Sequence, residues 1–483
     1  MDITYTPYID PEFELLIEKL HPPRVCVDNE THPDCTLVMV DSANKHGVLL
    51  EMVQVLTDLD LVISKSYISS DGGWLMDVFH VTDQQGSKLI DESLIHYIRE
   101  AICTIRLVKM ERRPSIRHVV ARPKDVSAEH VAVEMTGMDR PGLMSEMSAV
   151  LAELGCHVSA AVAWTHKGRA ACIIYVEGSE KDGVTMDPCR AAQVRAQLES
   201  VVEAHHHEDE RRSVRLASPA PGRTHTERRL HQLMAADRDY DQCCLCCSGN
   251  SEWDGVNVYG GCRKERKKGR IGTHVKIQKC KETGYSIVTV RSRDRPKLLF
   301  DTVCALTDLQ YVVQHAVISS RGSTAFQEYY ITHKSGSTLE TETEKRKVTK
   351  CLVAATERRV SHGLRLNICT KNRTGLLSDV TRVLRENGLS IKGAEIGVRG
   401  ENAVGTFYVK DTTGEKVNPE TLEIVRREIG GCMVIENVSP VATPSRTSGG
   451  GRRVMEERPR FSLGNLLWSQ LEWLSSNFRP IKS

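Results

Sequence analysis

The chain has 483 residues, 40% of them hydrophobic and only 5% aromatic, with a formal net charge of +2. That length holds about three to five domains, and so balanced a charge gives no global attraction to nucleic acid or a membrane surface. No run approaches the ~18 consecutive apolar residues of a membrane-spanning helix, so no transmembrane segment is expected.

The N-terminal segment, 1–34, opens with Asp2, Asp10, Glu12, Glu14 and Glu18 and has neither a basic start nor an apolar stretch, unlike a secretory signal. The 16 cysteines therefore read as reduced thiols rather than a disulfide framework. A cytoplasmic or nuclear location is the expectation.

A first module is placed at 35–113. Its strand runs into Asn44-Lys45-His46-Gly47-Val48, and Leu49, Met52, Val53 and Leu56 stripe the helix that follows. Gly72 marks a hairpin, and Leu94, Ile95, Ile98 and Ile102 stripe a second helix. A second module at 129–207 repeats the pattern through Asp139-Arg140-Pro141-Gly142-Leu143 and Gly168. Its second helix opens at Asp187-Pro188 and is striped by Ala191, Val194, Leu198 and Val201. A third at 284–360 carries Asp294-Arg295-Pro296-Lys297-Leu298, with helices marked by Leu299, Val303 and Leu306, then Val348, Cys351, Leu352 and Ala355.

The fourth module, 363–439, is the clearest. Leu364-Arg365-Leu366-Asn367-Ile368 alternates as a half-buried strand does. Asn372, in Asn372-Arg373-Thr374-Gly375-Leu376, is expected to cap a helix with Leu377, Val380, Val383 and Leu384 on one face. Strands over 390–399 and 403–410 flank Gly400-Glu401-Asn402, Asn418-Pro419 opens a second helix with Leu422, Val425 and Ile429, and Met433-Val434-Ile435 closes the unit. From the leading Asp or Asn to the hairpin glycine (Gly72, Gly168, Gly322, Gly400) is about 28 residues in every copy. A second turn glycine (Gly86, Gly336, Gly414) lies about 14 further on in three of them.

Strand, helix, strand, strand, helix, strand is the ferredoxin-like βαββαβ arrangement, an α+β fold with an antiparallel sheet and both helices on one face. A unit this small buries only about 60% of its unfolded surface, and an open sheet edge is a liability. The modules are therefore expected to pair edge to edge, one with two and three with four on either side of the long linker. Only a few residues separate three from four, so that pair should be the firmest.

A ferredoxin-like module with Asp-Arg-Pro-Gly-Leu between its first strand and first helix resembles the ACT domain. Four such modules, with Tyr8-Ile9-Asp10-Pro11-Glu12-Phe13 and the linker segment Thr226 to Met234, resemble the plant ACT-domain-repeat proteins over nearly the whole chain. The resemblance implies amino-acid binding and regulation without catalysis, at sites formed where two modules meet.

The residues themselves suit that chemistry. A strand-to-helix loop offers free backbone N–H groups at a helix N-terminus, where the dipole favours a carboxylate. Gly47, Gly142 and Gly375 remove the Cβ that would hold a ligand away. Asn44, Asp139, Asp294 and Asn372 can accept from an ammonium group or cap the helix, and Lys45, Arg140, Arg295 and Arg373 add positive charge. Leu143 and Leu376 complete the expected ligand-binding set. The same Asp/Asn-x-x-Gly pattern is also plain turn chemistry, and Lys297 in place of glycine sets module three apart. No cofactor, metal site or catalytic residue is expected.

The linker, 208–283, begins beside the charge run His205 to Arg212, which lacks the second histidine of a metalloprotease helix. Past Ser218-Pro219-Ala220-Pro221-Gly222, a helix over 227–240 with Leu230, Leu233 and Met234 on one side is expected to dock on a module. Cys243-Cys244-Leu245-Cys246-Cys247 reads as half a zinc site, a redox or lipid-modified cluster, or a plain segment. Arg263 to Arg270 reads as a solvated linker, a nuclear import signal or, least fittingly, a nucleic-acid contact. Residues 440–460 are Ser/Gly/Arg-rich and read as disordered. The tail, 461–483, is amphipathic and reads as packed on the modules, bound to a partner or lying on a membrane surface. Two functions remain open: a sensor that binds free amino acids and signals through a regulatory partner, with homodimerisation through the modules an option, or a scaffold of paired modules without a small ligand.

Overall fold

The computed structural model describes residues 24–71, 74–104, 130–177, 186–204, 210–217, 225–241, 272–280, 284–360, 363–413 and 416–438. The cysteine cluster, the basic run, the histidine run and the C-terminal tail lie outside these residues.

Module one consists of strands β1 (Arg24–Asp28) and β2 (Thr36–Ala43), helix α1 (Val48–Asp58), strands β3 (Val62–Asp71) and β4 (Trp74–Thr82), and helix α2 (Glu92–Thr104). Module two has β5 (His130–Met138), α3 (Leu143–Glu153), β6 (Val158–His166), β7 (Arg169–Glu177), α4 (Pro188–Glu203) and β8 (Ser213–Ala217). The linker helix α5 (Thr226–Ala236) precedes module three, which has β9 (His274–Lys279), β10 (Ser286–Arg293), α6 (Leu298–Asp308), β11 (Tyr311–Arg321), β12 (Thr324–His333) and α7 (Glu342–Arg358). Module four runs β13 (Gly363–Lys371), α8 (Leu376–Glu386), β14 (Leu389–Arg399), β15 (Asn402–Asp411), α9 (Pro419–Ile429) and β16 (Cys432–Val438). Each is a four-stranded antiparallel sheet with helices on one face, so the ferredoxin-like reading holds in all four.

The origin of the fourth strand differs between modules. Modules two and four take it from after the second helix, as expected, with β8 beside β5 and β16 beside β13. Modules one and three take it from upstream, with β1 beside β2 and β9 beside β10. In module three the reason is chain length: α7 ends at Arg358 and β13 starts at Gly363, too short a span for another strand.

Edge-to-edge pairing occurs, but between other partners than chain order suggests. One eight-stranded sheet runs β1-β2-β4-β3-β11-β12-β10-β9 and joins modules one and three; the other runs β16-β13-β15-β14-β6-β7-β5-β8 and joins two and four. The seams are antiparallel, from His315↔Ser69 to Ser319↔Lys65 and from Gly393↔Trp164 to Ile396↔Ala161. Each seam also carries polar contacts at its corners. Every seam strand is bulged at one position (Ser64, Ser159, Gln314, Lys392), and two of the bulged residues reach the sister module's loop, Gln314 to Asn44 and Lys392 to Asp139. The Lys392–Asp139 contact is 2.8 Å long.

Helix faces close two shared cores. Leu50, Met52 and Leu56 of α1 lie in one cluster with Phe300, Val303 and Leu306 of α6, and Met147 and Leu151 of α3 share another with Val380 and Leu384 of α8. The third cluster holds the layers together. Leu230, Leu233 and Met234 of α5 pack on Ala132, Val162, Trp164, Ile173 and Tyr175, the back of module two's sheet. The same helix meets α6 through Arg228, which bonds Asp308 at 2.8 Å, and its N-cap residue His225 meets Asp58 of α1 at 2.9 Å. Linker helix docking is thus as the apolar stripe predicts, and each buried Leu or Met contributes about 1.5–3 kcal/mol.

Candidate ligand sites at the seam of modules two and four

The first helix of every module begins in one way. Gly47, Gly142 and Gly375 stand at the N-cap with φ of 92°, 86° and 80°, Lys297 takes the same left-handed conformation at 62°, and none has a side-chain cap. Asn372 is therefore not the cap it was expected to be; it lies three residues too early, its own N–H closing the hairpin on the Glu401 carbonyl at 2.8 Å. Second helices behave otherwise: Asp187, Thr341 and Asn418 each accept from a first-turn N–H. First-turn amides lacking a side-chain acceptor leave those four N-termini able to receive an anion.

The loop cations are not free to do so. Arg140 binds both oxygens of Glu146, Arg295 binds Asp301 at 2.7 Å and Arg373 binds Asp379 at 2.5 Å, each time the acid six residues on. These arginines brace their own helix with a charge already paired, while Arg373 and Arg140 still line the clefts described next. The signal was present in the sequence as an acid at that spacing, with Glu51 after Lys45 completing the set.

Two clefts open at the seam of modules two and four. The first, enclosing about 590 Å³ of non-atom space open in part to solvent, lies at module four's corner. Asn372, Gly375, Leu376 and Ser378 form one wall, and Ala152, Cys156 and Val158 of module two form the other. His157 of module two lies 3.2 Å from the Asn372 amide. The second, about 470 Å³, is the counterpart at module two's corner, with Asp139, Arg140, Gly142, Leu143 and Ser145 facing Thr381, Arg385 and Ile391 of module four. Gly142 is required twice over there: its φ suits glycine, and a Cβ would stand 3.0 Å from Arg385 Cδ. Apolar floors lie beneath both, Ile396, Val398 and Phe407 in the first and Met135, Leu389 and Ile391 in the second. Lys392, Arg385 and His157 were not singled out from the sequence, because they belong to the sister module and become neighbours only through the seam.

The corners of modules one and three carry different chemistry. Asn44 donates to Ser70 Oγ at 2.8 Å and to Gln314 at 3.5 Å, and His46 Nε2 lies 3.1 Å from the Thr307 carbonyl oxygen. Asp294 is largely buried, which raises its pKa against a Ser320 hydrogen bond that lowers it. Arg295 also donates to the Thr356 carbonyl at 2.7 Å, and Lys297 binds Glu227 of α5 at 2.6 Å. Asn44, Gly47, Asp294 and Arg295 thus line neither of the two clefts.

Module three's corner belongs to a buried charge network between the layers. Arg359 spans Glu227 at 3.0 Å and Asp301 at 2.9 Å and lies 4.9 Å from the Trp164 ring centroid. His231 binds Asp301 at 2.8 Å, while Arg358 binds Asp239 at 2.6 Å and Asp239 binds His166 at 3.0 Å. Burial pushes the carboxyls of Asp301 and Glu227 up, but Arg359 with Arg295 at the first, and Arg359 with Lys297 at the second, outweigh it and hold both below the ordinary range. Asp239 likewise ends at about 2, burial being outweighed by Arg358 and His166. His231 moves down, burial overriding the pull of Asp301.

Ferredoxin-like modules that share a sheet, each with a left-handed corner between first strand and first helix, glycine in three of the four, point to the ACT class. Residues 31–109 match the ACR family N-terminal ACT domain, and residues 129–206 and 364–430 match the ACT domain. The Arabidopsis thaliana ACT domain-containing protein ACR1 is 51% identical over 492 residues, covering 100% of both chains, and ACR3 is 46% identical over 96% of this chain and 98% of its own. The chain belongs to the ACR family of plant ACT-domain-repeat proteins, a regulatory class.

Proposed function

We propose that this chain is a non-enzymatic sensor that binds free amino acids in the two clefts between modules two and four and passes their occupancy to a partner protein. The observation that carries the reading is the pair of uncapped, glycine-started helix N-termini, each opening into a cleft completed by the sister module. A ligand carboxylate meets first-turn amides and the dipole. Its ammonium meets Asp139 in one cleft and the Asn372 amide oxygen in the other. Displacing Lys392 from Asp139 costs little, since half-exposed ion pairs contribute only about 0–1 kcal/mol. Apolar floors favour an aliphatic or aromatic side chain. About ten heavy atoms limit affinity to roughly micromolar to millimolar.

Because each ligand touches both modules, occupancy tightens the seam, and a partner that reads seam geometry reads the metabolite pool. A cytoplasmic or nuclear location and homodimerisation through the modules are consistent with this role, and direct nucleic-acid binding is not part of it. The closed corners of modules one and three favour the scaffold reading for that pair alone. A thermal-shift screen of the full chain against the twenty amino acids tests the proposal. A ligand at a hundred times its dissociation constant adds about 2.7 kcal/mol of stability, and a screen in which no amino acid moves the transition leaves only the scaffold.

A further inference from the structure

Module one carries a side-chain cluster far in character from the seam. The turn between β1 and β2 is pinned: Asn29 donates to the Leu89 carbonyl at 2.7 Å, and Lys88 Nζ donates to the Asn29 carbonyl at 2.8 Å. His32 and Cys35 follow on that turn. His80 on β4 pairs in register with Leu37, and its neighbours Phe79 and Val81 are fully buried in the core, so His80 lies on the sheet face away from the helices. The ligating atoms of His32, Cys35 and His80 all lie within 4.8 Å of one another. The two rings meet edge-on with centroids 5.5 Å apart, and His80 Nδ1 is buried without a hydrogen-bond partner. A buried, unpartnered ring nitrogen is costly unless something else binds it.

We infer that His32, Cys35 and His80 form a binding site for a zinc-class transition-metal ion, with a fourth coordination position open to water. Two imidazoles and one thiolate are the borderline-soft donors such ions select, and three protein ligands with one open position is a common arrangement. Ligand atoms in a tetrahedral site stand about 3.3–3.6 Å apart, so closing the cluster requires a movement of about an ångström in an exposed turn. A backbone hydrogen bond at Lys65 orients the His80 ring. His32 Nδ1 accepts only a long bond, 3.2 Å from the Asp34 N–H, which metal coordination at that nitrogen would replace.

Binding forms one sulfur–metal and two nitrogen–metal bonds and releases the thiol proton, with no change of oxidation state. The other charges acting on Cys35 are Lys88, Asp34 and Lys65. Lys65 Nζ lies 4.7 Å from the Tyr67 ring centroid, and Lys88 is turned to Asn29. The ion would clip β1, the strand that module one draws from upstream, onto β2 and β4.

The test is titration of the full chain with zinc against a chromophoric chelator, in a background where Cys243, Cys244, Cys246 and Cys247 are replaced by serine. One equivalent is expected to bind with release of one proton, and cobalt in its place gives a thiolate charge-transfer band. Cys35→Ser abolishes that band and weakens binding by about 10–100-fold. His32→Ala, on an exposed turn, weakens it similarly with unfolding in the absence of metal unchanged, which separates coordination from folding. The inference is overturned by absence of stoichiometric uptake or by uptake equal to the parent in both variants.

Discussion

The two seams are built alike and finished differently. At the seam of modules one and three, Asn44 is bonded to Ser70 and Gln314, His46 reaches Thr307, and Lys297, Arg295 and Arg359 are tied into a buried network with Glu227 and Asp301. At the seam of modules two and four, the same corner opens into a cleft, and its charges sit in partly exposed pairs such as Lys392 with Asp139. One geometry thus serves two ends. Where the corner faces another layer, it is a structural joint; where it faces solvent, it leaves a cleft.

The largest expected contrast is between equivalent acids. Asp301→Ala removes the anion shared by Arg295, Arg359 and His231, leaving Arg359 with Glu227 alone, and is expected to destabilise by about 3–5 kcal/mol in chemical denaturation. Asp379→Ala removes the matching partner of the half-exposed Arg373 and should change stability by less than about 1 kcal/mol. Equal losses would erase the distinction between the seams.

Leu230→Ala, at a fully buried position of α5, should cost about 2–5 kcal/mol. A loss under about 1 kcal/mol would mean that the layers are held by charge rather than by the helix.

The network also sets a pH dependence. His231 is depressed in the folded state, so the unfolded chain takes up the proton first, and stability falls as pH drops below the ordinary value of 6.5. Asp239 is depressed to about 2, so its contribution is present above 3.8 and lost as pH falls toward 2. Asp237 runs the other way: burial, partly opposed by Arg169, raises it to about 6, so its protonation adds stability as pH falls from 6 to 3.8. Denaturation midpoints from pH 7 to 3 should decline overall, and the Asp239→Asn variant should flatten the acid end.

Smaller effects come from the corners. Gly375→Ala forces alanine into a left-handed conformation and should cost about 1–2 kcal/mol. Its added Cβ meets only Ala152 at 3.8 Å, whereas that of Gly142→Ala meets Arg385 at 3.0 Å, so the latter should cost more.

The fold was largely legible because its signals are local. Alternation gave the strands, 3.6-residue stripes the helices, Asp187-Pro188 and Asn418-Pro419 the caps, and Leu230, Leu233 and Met234 the docked linker helix. The choice of partners was not legible. It is a relation between strands hundreds of positions apart, β3 with β11 and β6 with β14, which no local pattern reports. The upstream strands β1 and β9 were missed because periodicity shows a strand without showing which sheet edge it joins. At the corners, residue type suggested side-chain caps that are not there, and Arg140, Arg295 and Arg373 turn back on their own helices. An acid six residues ahead was the readable sign.

The most direct test of the central claim is calorimetry of the full chain with each amino acid, comparing the parent with a Gly142→Val, Gly375→Val double variant and with Asn44→Ala. The account predicts saturable heat from at least one amino acid, abolished in the double variant while its far-ultraviolet spectrum is unchanged, and retained in Asn44→Ala. Heat that survives the double substitution, or that disappears with Asn44→Ala alone, would contradict it.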